Sequence, residues 1–187
     1  MSDQGPACTI IDRLQEAEIA KDRPARAKIE IRRARRGDIP AIVALVNKAA
    51  QRLVEEAEAL DWLFGKGLLV AVQGNQVVGV ATWQAENLVS VTDLFHVYPA
   101  KLRSPAGSRL LSTIESEANV LMCEANVITL PSHTSKAMRA FLRRQGYEPK
   151  AFQELHRIWR EVLGEFVGSQ PDLMVKRLRE KMVMAPI

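Results

Sequence analysis

At 187 residues, 47% hydrophobic and 26% charged, with a formal net charge of +4, the chain suits one globular domain with a substantial core and is short for two. No apolar run approaches the ~20 residues needed to span a membrane, and the first residues, with Asp3, Asp12 and Glu16, do not read as a secretory signal. Cys8 and Cys123 lie far apart without a Cys-x-x-Cys pair, and the three scattered histidines lack a carboxylate at helical spacing. No disulfide framework and no metal site are indicated, and the expected compartment is a reducing cytoplasm.

Residues 1–27 read as a polar N-terminal extension in which Ile10 to Ala20 could form a short helix. From Lys21 to Arg36 eight basic residues face only Asp22 and Glu30, a local net charge of +6. Such a run can grip nucleic acid or an acidic surface, but no aromatic residue interleaves with it as a stacking platform, so a solvated linker and strand edge is the preferred reading. Ile39, Ile42, Val43, Val46, Ala50, Leu53 and Val54 mark a first helix, with Asp38 as its N-cap and Pro40 in its first turn. Gly74-Asn75 between two β-rich runs predicts a hairpin turn.

A strand from Leu88 to Val97 then feeds a short loop of basic and small residues that opens into a helix. Leu110, Leu111, Ile114, Ala118 and Leu121 give that helix one apolar face. Small residues at a helix N-terminus can turn several N–H groups toward an anion, at the positive end of the helix dipole. Lys101, Arg103 and Arg109 carry the same sign, although an ordinary strand-to-helix connection fits the segment as well. Ala125 to Leu130 predicts a further strand and Phe152 to Trp159 a last one. Residues 161–187 read as a C-terminal helical extension, with a helix from Asp172 to Met184 whose apolar residues could pack on the domain or on a second subunit as a homodimer. Strands alternating with helices around one tight hairpin predict an α/β chain with a mixed sheet and helices on both faces.

Four segments in order carry a resemblance to the GNAT superfamily, the acyl-CoA-dependent N-acyltransferases. They are Ile29 to Ile42, Leu68 to Ala81, Val97 to Leu111, and Ala137 to Tyr147. The first is similar to the family's opening strand and helix start, and the second to its central hairpin. The third is similar to its acyl-CoA pyrophosphate loop, and the fourth to its helix ending in Gly plus an aromatic. The resemblance implies a GNAT-like acyltransferase domain over residues 28–160. It also implies acetyl-CoA as co-substrate, no metal, and an amine acceptor that attacks the thioester directly in a ternary complex.

Residue by residue, the resemblance implies that Phe95, His96 and Val97 bond the pantetheine arm. Leu102, Arg103, Ser104, Ala106, Gly107, Ser108 and Arg109 would form the pyrophosphate loop. Val97, Pro99 and Gly107 match the family pattern without insertion. Leu102 stands where Arg or Gln is usual, and Pro105, which has no N–H, stands where the first Gly is usual. Arg103 is expected to compensate for Leu102.

Acyl transfer needs a polarised carbonyl, a neutral amine and a protonated leaving thiolate. Asp93 is the leading candidate base, in a strand whose apolar neighbours would raise its pKa, unless it merely begins the strand at a polar end. His96 follows, with opposite strand parity to Asp93, and Glu86 is third. The family's usual acid is a Tyr four residues before the Gly that ends the last long helix, and Leu142 holds that place here. Water could serve instead, and His133 and Ser135 read more simply as loop and capping residues. A catalytically reduced CoA-binding or protein-interaction module is the alternative reading, and an RNA-directed acyltransferase a third. The acceptor is expected to contact about Gln51 to Lys66, where Glu55, Glu56, Glu58 and Asp61 sit beside Trp62 and Phe64.

Overall fold

The computed structural model describes residues 28–50, 53–131, 133–166 and 172–180. The candidate helix Ile10 to Ala20, and most of the Lys21 to Arg36 run before Lys28, lie outside them.

Seven strands form one sheet: β1 (Ile29–Arg33), β2 (Gly67–Gln73), β3 (Gln76–Glu86), β4 (Val89–Val97), β5 (Ala125–Leu130), β6 (Glu148–Lys150) and β7 (Asp172–Arg177). Their order is β1-β2-β3-β4-β5-β7-β6, parallel only between β4 and β5. The α-helices among the described residues are α1 (Ile39–Ala50), α2 (Glu56–Gly65), α3 (Ser108–Val120), α4 (Lys136–Arg144) and α5 (Arg157–Phe166). The expected mixed sheet with helices on both faces is what the chain forms.

Strand alternation assigns the faces. Leu69, Ala71, Ala81, Phe95, Ile128 and Met174 point to α3 and α4, where they meet Leu110, Leu111, Ile114, Phe141 and Leu142. On the other face, Leu68, Val70, Val80 and Leu94 meet α1 and α2. Beside them Val91, Val127, Leu173 and Val175 meet Trp159, Val162 and Leu163 of α5. The Gly74-Asn75 turn closes β2 onto β3 with Gln73 opposite Gln76, and Gly74 takes φ +60°, which glycine adopts without steric cost.

Asp38 does not cap α1 directly. It ends a 3₁₀ turn, Arg36–Asp38, accepts the Arg35 N–H at 2.7 Å, and takes the Arg32 guanidinium in a two-pronged pair at 2.7 and 2.8 Å. That pair, with the Arg35 N–H, holds the Asp38 carboxyl below the usual carboxylate range. Helix α1 is described to Ala50, and Leu53 and Val54, expected in it, are not helical. Val54 is buried, and its N–H and C=O both bond the Asn47 side chain, at 2.7 and 3.3 Å.

Two expectations near the C-terminus fail. Phe152 to Trp159 is not a strand: Phe152–Glu154 is a 3₁₀ turn, and α5 begins at Arg157. Trp159, Val162 and Leu163, spaced by three and one, form the buried face of that helix, and buried Leu155 precedes it on extended backbone. Conversely, Asp172 does not open a helix. Residues 172–177 are β7, paired on both sides, and Leu173-Met174-Val175 is buried on both faces. A short apolar run of that kind shows neither period, which is why the sequence misleads there. Of the expected extension 161–187, residues 161–166 belong to α5 and 172–177 to β7 inside the sheet, while 167–171 and 181–187 lie outside the described residues.

Candidate functional site

Strands β4 and β5 pair only from Val89↔Ala125 to Thr92↔Ile128. Beyond that point β4 continues along β3 to Val97↔Gly79, while β5 follows β7 to Leu130↔Asp172. The two parallel neighbours thus part over Asp93 to Val97 and Thr129 to Leu130, leaving a wedge in the middle of the sheet. Its local cause is a β-bulge. From Gln84↔Val91 to Thr82↔Leu94, β3 advances two residues and β4 three, so β4 carries one extra residue around Thr92 and Asp93. Half-buried Leu102, Leu130 and Met138 pack against the core cluster that contains Phe95 and Val97.

The bulge reassigns the strand's faces. The Asp93 carboxylate accepts the Thr82 hydroxyl at 2.5 Å, and that hydroxyl accepts the Leu94 N–H at 3.0 Å. Asp93 and Leu94 therefore share the α1–α2 face. His96 lies opposite Val80, which is buried against α1, so it is on that face too. The expected opposite parity of His96 and Asp93 is overturned, because the extra residue shifts the alternation by one. Nor is Asp93 in an apolar setting: its side chain is 32% exposed and paired with the Lys66 ammonium at the end of α2. Glu86, at the far end of β3 opposite Val89, is remote from this pair.

The segment expected as an open phosphate loop is wound. Ala100–Leu102 forms a 3₁₀ turn, and Arg103–Gly107 a π-turn that runs directly into α3. Within it the Leu102 N–H donates to Pro99 O at 2.9 Å, Arg103 N–H to Ala100 O, and Ser108 N–H to Ser104 O. These donors already have partners, and Pro105 has no N–H to offer. A π-turn accommodates one more residue per turn than an α-helix, which absorbs the Pro105 position.

Ala106 and Gly107 are buried in the core, while Ser104 is exposed and Ser108 half-buried. A Cβ on Gly107 would lie 3.0 Å from Phe141 Cζ and 3.2 Å from Phe95 Cζ. Those two rings stack with centroids 6.2 Å apart, so a side chain here would have to push them aside by a few tenths of an ångström. Arg109 does not reinforce the loop; its guanidinium donates to Ile29 O on β1 at 2.5 Å. Arg103 is half-buried, and its Nε is buried with no protein partner.

Leu142 is fully buried under the sheet and offers no proton. Tyr98 is about half exposed beside the π-turn. The Tyr147 hydroxyl is buried, donates to Glu115 at 2.9 Å and accepts from Asn126 at 2.7 Å, and Glu115 also takes Lys176 at 2.7 Å. Burial, with Glu115 adding to it, pushes the Tyr147 phenol far above its ordinary range. Ser135 caps α4 by accepting the Met138 N–H at 3.2 Å, and His133 is exposed in the turn before it. Of the basic run, Arg32 is paired with Asp38 and Arg33 with Glu117 at 2.6 Å. Sequence reasoning missed Lys66 and Thr82 as partners of Asp93, and the Asn126–Tyr147–Glu115 network. These contacts join residues 11 to 32 positions apart, and no local pattern announces them.

No family model and no curated protein sequence matches the chain. Solved structures do. The yncA protein of Salmonella typhimurium, determined with its cofactor acetyl-CoA, is 22% identical with a TM-score of 0.60, over 86% of this chain and 98% of that one. An acetyltransferase of the GNAT family from Staphylococcus aureus is 12% identical with a TM-score of 0.63, over 81% and 99%. N-acetylglutamate synthase from Neisseria gonorrhoeae, complexed with coenzyme A and N-acetyl-glutamate, is 19% identical with a TM-score of 0.62. That match covers 81% of this chain but 35% of the synthase, so the chain spans about a third of that protein's length. Likeness at these identities speaks for architecture, and the architecture it fixes is the GNAT acyltransferase fold.

Proposed function

We propose that the chain is an acetyl-CoA-dependent N-acetyltransferase that passes the acetyl group to an amine by direct attack in a ternary complex. The observation that carries this reading is the wedge where β4 leaves β5, with a carboxylate at its root and the π-turn of α3 at its mouth. Over Asp93 to Val97 the edge of β4 facing β5 has backbone groups with no sheet partner, suited to a pantetheine arm threaded as a surrogate strand. An N–H from Phe95, His96 or Val97 would polarise the thioester carbonyl, and Asp93 would take the proton from the incoming amine.

The pyrophosphate would lie against the exposed side of the turn, at Ser104, Ser108 and Arg103. Leu102 would pack against the arm, while Ala106 and Gly107 let the turn sit close on the Phe95–Phe141 pair. With no acid at Leu142, the thiolate would be protonated by water. The reading carries with it a reducing cytoplasmic setting, in keeping with the buried free Cys123. No described helix is long and apolar enough to cross a membrane. The ion-paired state of Arg32 and Arg33 speaks against nucleic acid as the acceptor.

Acetyl-CoA should raise the melting temperature, since a ligand that binds only the native state stabilises it by mass action. Thiol release with a panel of primary amines should then reveal turnover. Asp93→Asn should keep the acetyl-CoA shift and lower turnover by about 10²–10⁴. The absence of any shift at millimolar acetyl-CoA sinks the cofactor assignment. The buried Leu142 favours one other reading, a GNAT-fold module that binds CoA or a protein without catalysis. Binding with no turnover on any amine would select it.

A further inference from the structure

Resting on the transferase reading, we infer that Lys66 is itself an acetylation site: the chain transfers an acetyl group from acetyl-CoA to its own Lys66 Nζ. Two features put that amine on the candidate base. The Lys66 ammonium is hydrogen-bonded to Asp93 Oδ2. The other oxygen is fixed by the Thr82 hydroxyl at 2.5 Å, itself held by the Leu94 N–H at 3.0 Å, so the carboxylate is oriented toward Lys66 by the bulge.

This arrangement sits where β4 parts from β5, two residues before the Phe95 to Val97 stretch assigned to the thioester arm. The Lys66 side chain is 26% exposed, and Asp93 is the partner seen at its ammonium, while its backbone N–H bonds Trp62 O at 3.1 Å. No other described lysine is seen on this carboxylate. Lys176 is bound to Glu115 and Lys150 lies 4.0 Å from Glu148, while Lys101 and Lys136 are exposed.

The step balances without a further reagent. The Lys66 ammonium gives one proton to Asp93, and the neutral nitrogen attacks the thioester carbonyl carbon. The C–N bond forms, the C–S bond breaks, and its electron pair leaves on the CoA sulfur, which takes a proton from water. The nitrogen's second proton passes to solvent, leaving a neutral acetamide. The product no longer places a cation on Asp93, so modification would also open the carboxylate to an external amine.

The test is peptide mapping by mass spectrometry of the full chain after incubation with isotopically labelled acetyl-CoA, beside a urea-unfolded sample. Lys66 should gain one labelled acetyl group about 10²-fold faster than Lys101 or Lys136, the contribution expected of a placed general base. Unfolding should erase that preference. Asp93→Asn should bring Lys66 down to the rate of the exposed lysines, and Thr82→Val, which frees the carboxylate without removing it, should slow it by a smaller factor. Acetyl-CoA that raises the melting temperature while Lys66 reacts no faster than Lys101 or Lys136 overturns the inference and leaves the transferase reading standing. Lys66 acetylation undiminished in a folded Asp93→Asn also overturns it. Absence of both the thermal shift and thiol release removes the transferase reading itself, and the inference with it.

Discussion

Replacing Gly107 with alanine separates two roles that the residue could hold in the segment before α3. If Gly107 is there to let a phosphate approach the backbone, one methyl group should leave stability alone and weaken acetyl-CoA binding. The structure argues for a different role. The new Cβ would sit 3.0 Å from Phe141 Cζ and 3.2 Å from Phe95 Cζ, tighter than ordinary van der Waals contact, so the rings must give by a few tenths of an ångström. Phe141 is 2% exposed and Phe95 8%, so neither ring can retreat into solvent. Overpacking of this kind costs about 1–3 kcal/mol, which for a chain of this size is a fall of roughly 2–12 °C in melting temperature. Gly37→Ala, where a Cβ meets nothing within 4 Å, is the matched control and should stay within about 0.5 kcal/mol of wild type. Urea titrations read both, as a lowered midpoint with an unchanged slope. Trimming the obstacle with Phe141→Leu should make the double variant less damaged than the sum of the singles by at least ~0.5 kcal/mol. A Gly107→Ala protein as stable as wild type would refute the packing argument and return the glycine to the phosphate.

Arg103→Ala should weaken acetyl-CoA binding by roughly tenfold to a hundredfold, the worth of a charge-assisted phosphate contact. Arg109→Ala should act on stability instead, because its guanidinium is spent on Ile29 O; calorimetric titration giving equal losses for both would contradict this. Asp38→Asn should cost about 1.5–3 kcal/mol at pH 7 through the lost two-pronged bond to Arg32. The Asp38 carboxyl titrates below its unfolded value of 3.8, so its contribution is complete above that value and is lost as pH falls through the lower, folded one. Urea melts should therefore show the gap between wild type and variant closing below about pH 4, and a gap independent of pH would refute the ion-pair account.

Much of this architecture was legible because the relevant signals are local. The Gly74-Asn75 turn, the Ala125 to Leu130 strand and the apolar stripe of α3 from Leu110 to Ala118 each declare themselves within a dozen residues, and are where the sequence puts them. Leu121, expected on that stripe, is instead exposed just past the helix end. What misled was burial on two faces. Leu173-Met174-Val175 lies between β5 and β6 with a helix layer on either side, so alternation has nothing polar to alternate with. The π-turn was hidden for another reason. Arg103 to Gly107 has the composition of an open loop, and the close approach of Phe95 and Phe141 to Gly107 is a long-range contact that local sequence does not announce.

The candidate site was half legible, and the missing half follows from the bulge. Counting parity along β4 separates Asp93 from His96; one inserted residue reunites them on the face of α1 and α2 and turns Asp93 onto Thr82. A bulge has no sequence signature here, yet it couples two effects that a regular strand could not combine. It ends the pairing of β4 with β5 at Thr92, and it presents a carboxylate at the point where the pairing ends. On the proposed transferase reading the chemistry is asymmetric. Asp93 would take the amine proton, whereas on the leaving side Leu142 is sealed in the core and the Tyr147 hydroxyl is committed to Glu115 and Asn126. A thioester tolerates that imbalance better than an ester or amide would, because a thiolate departs with less help from an acid. On that reading, the lack of a side-chain acid at Leu142 suits an acyl group carried on sulfur rather than on oxygen or nitrogen.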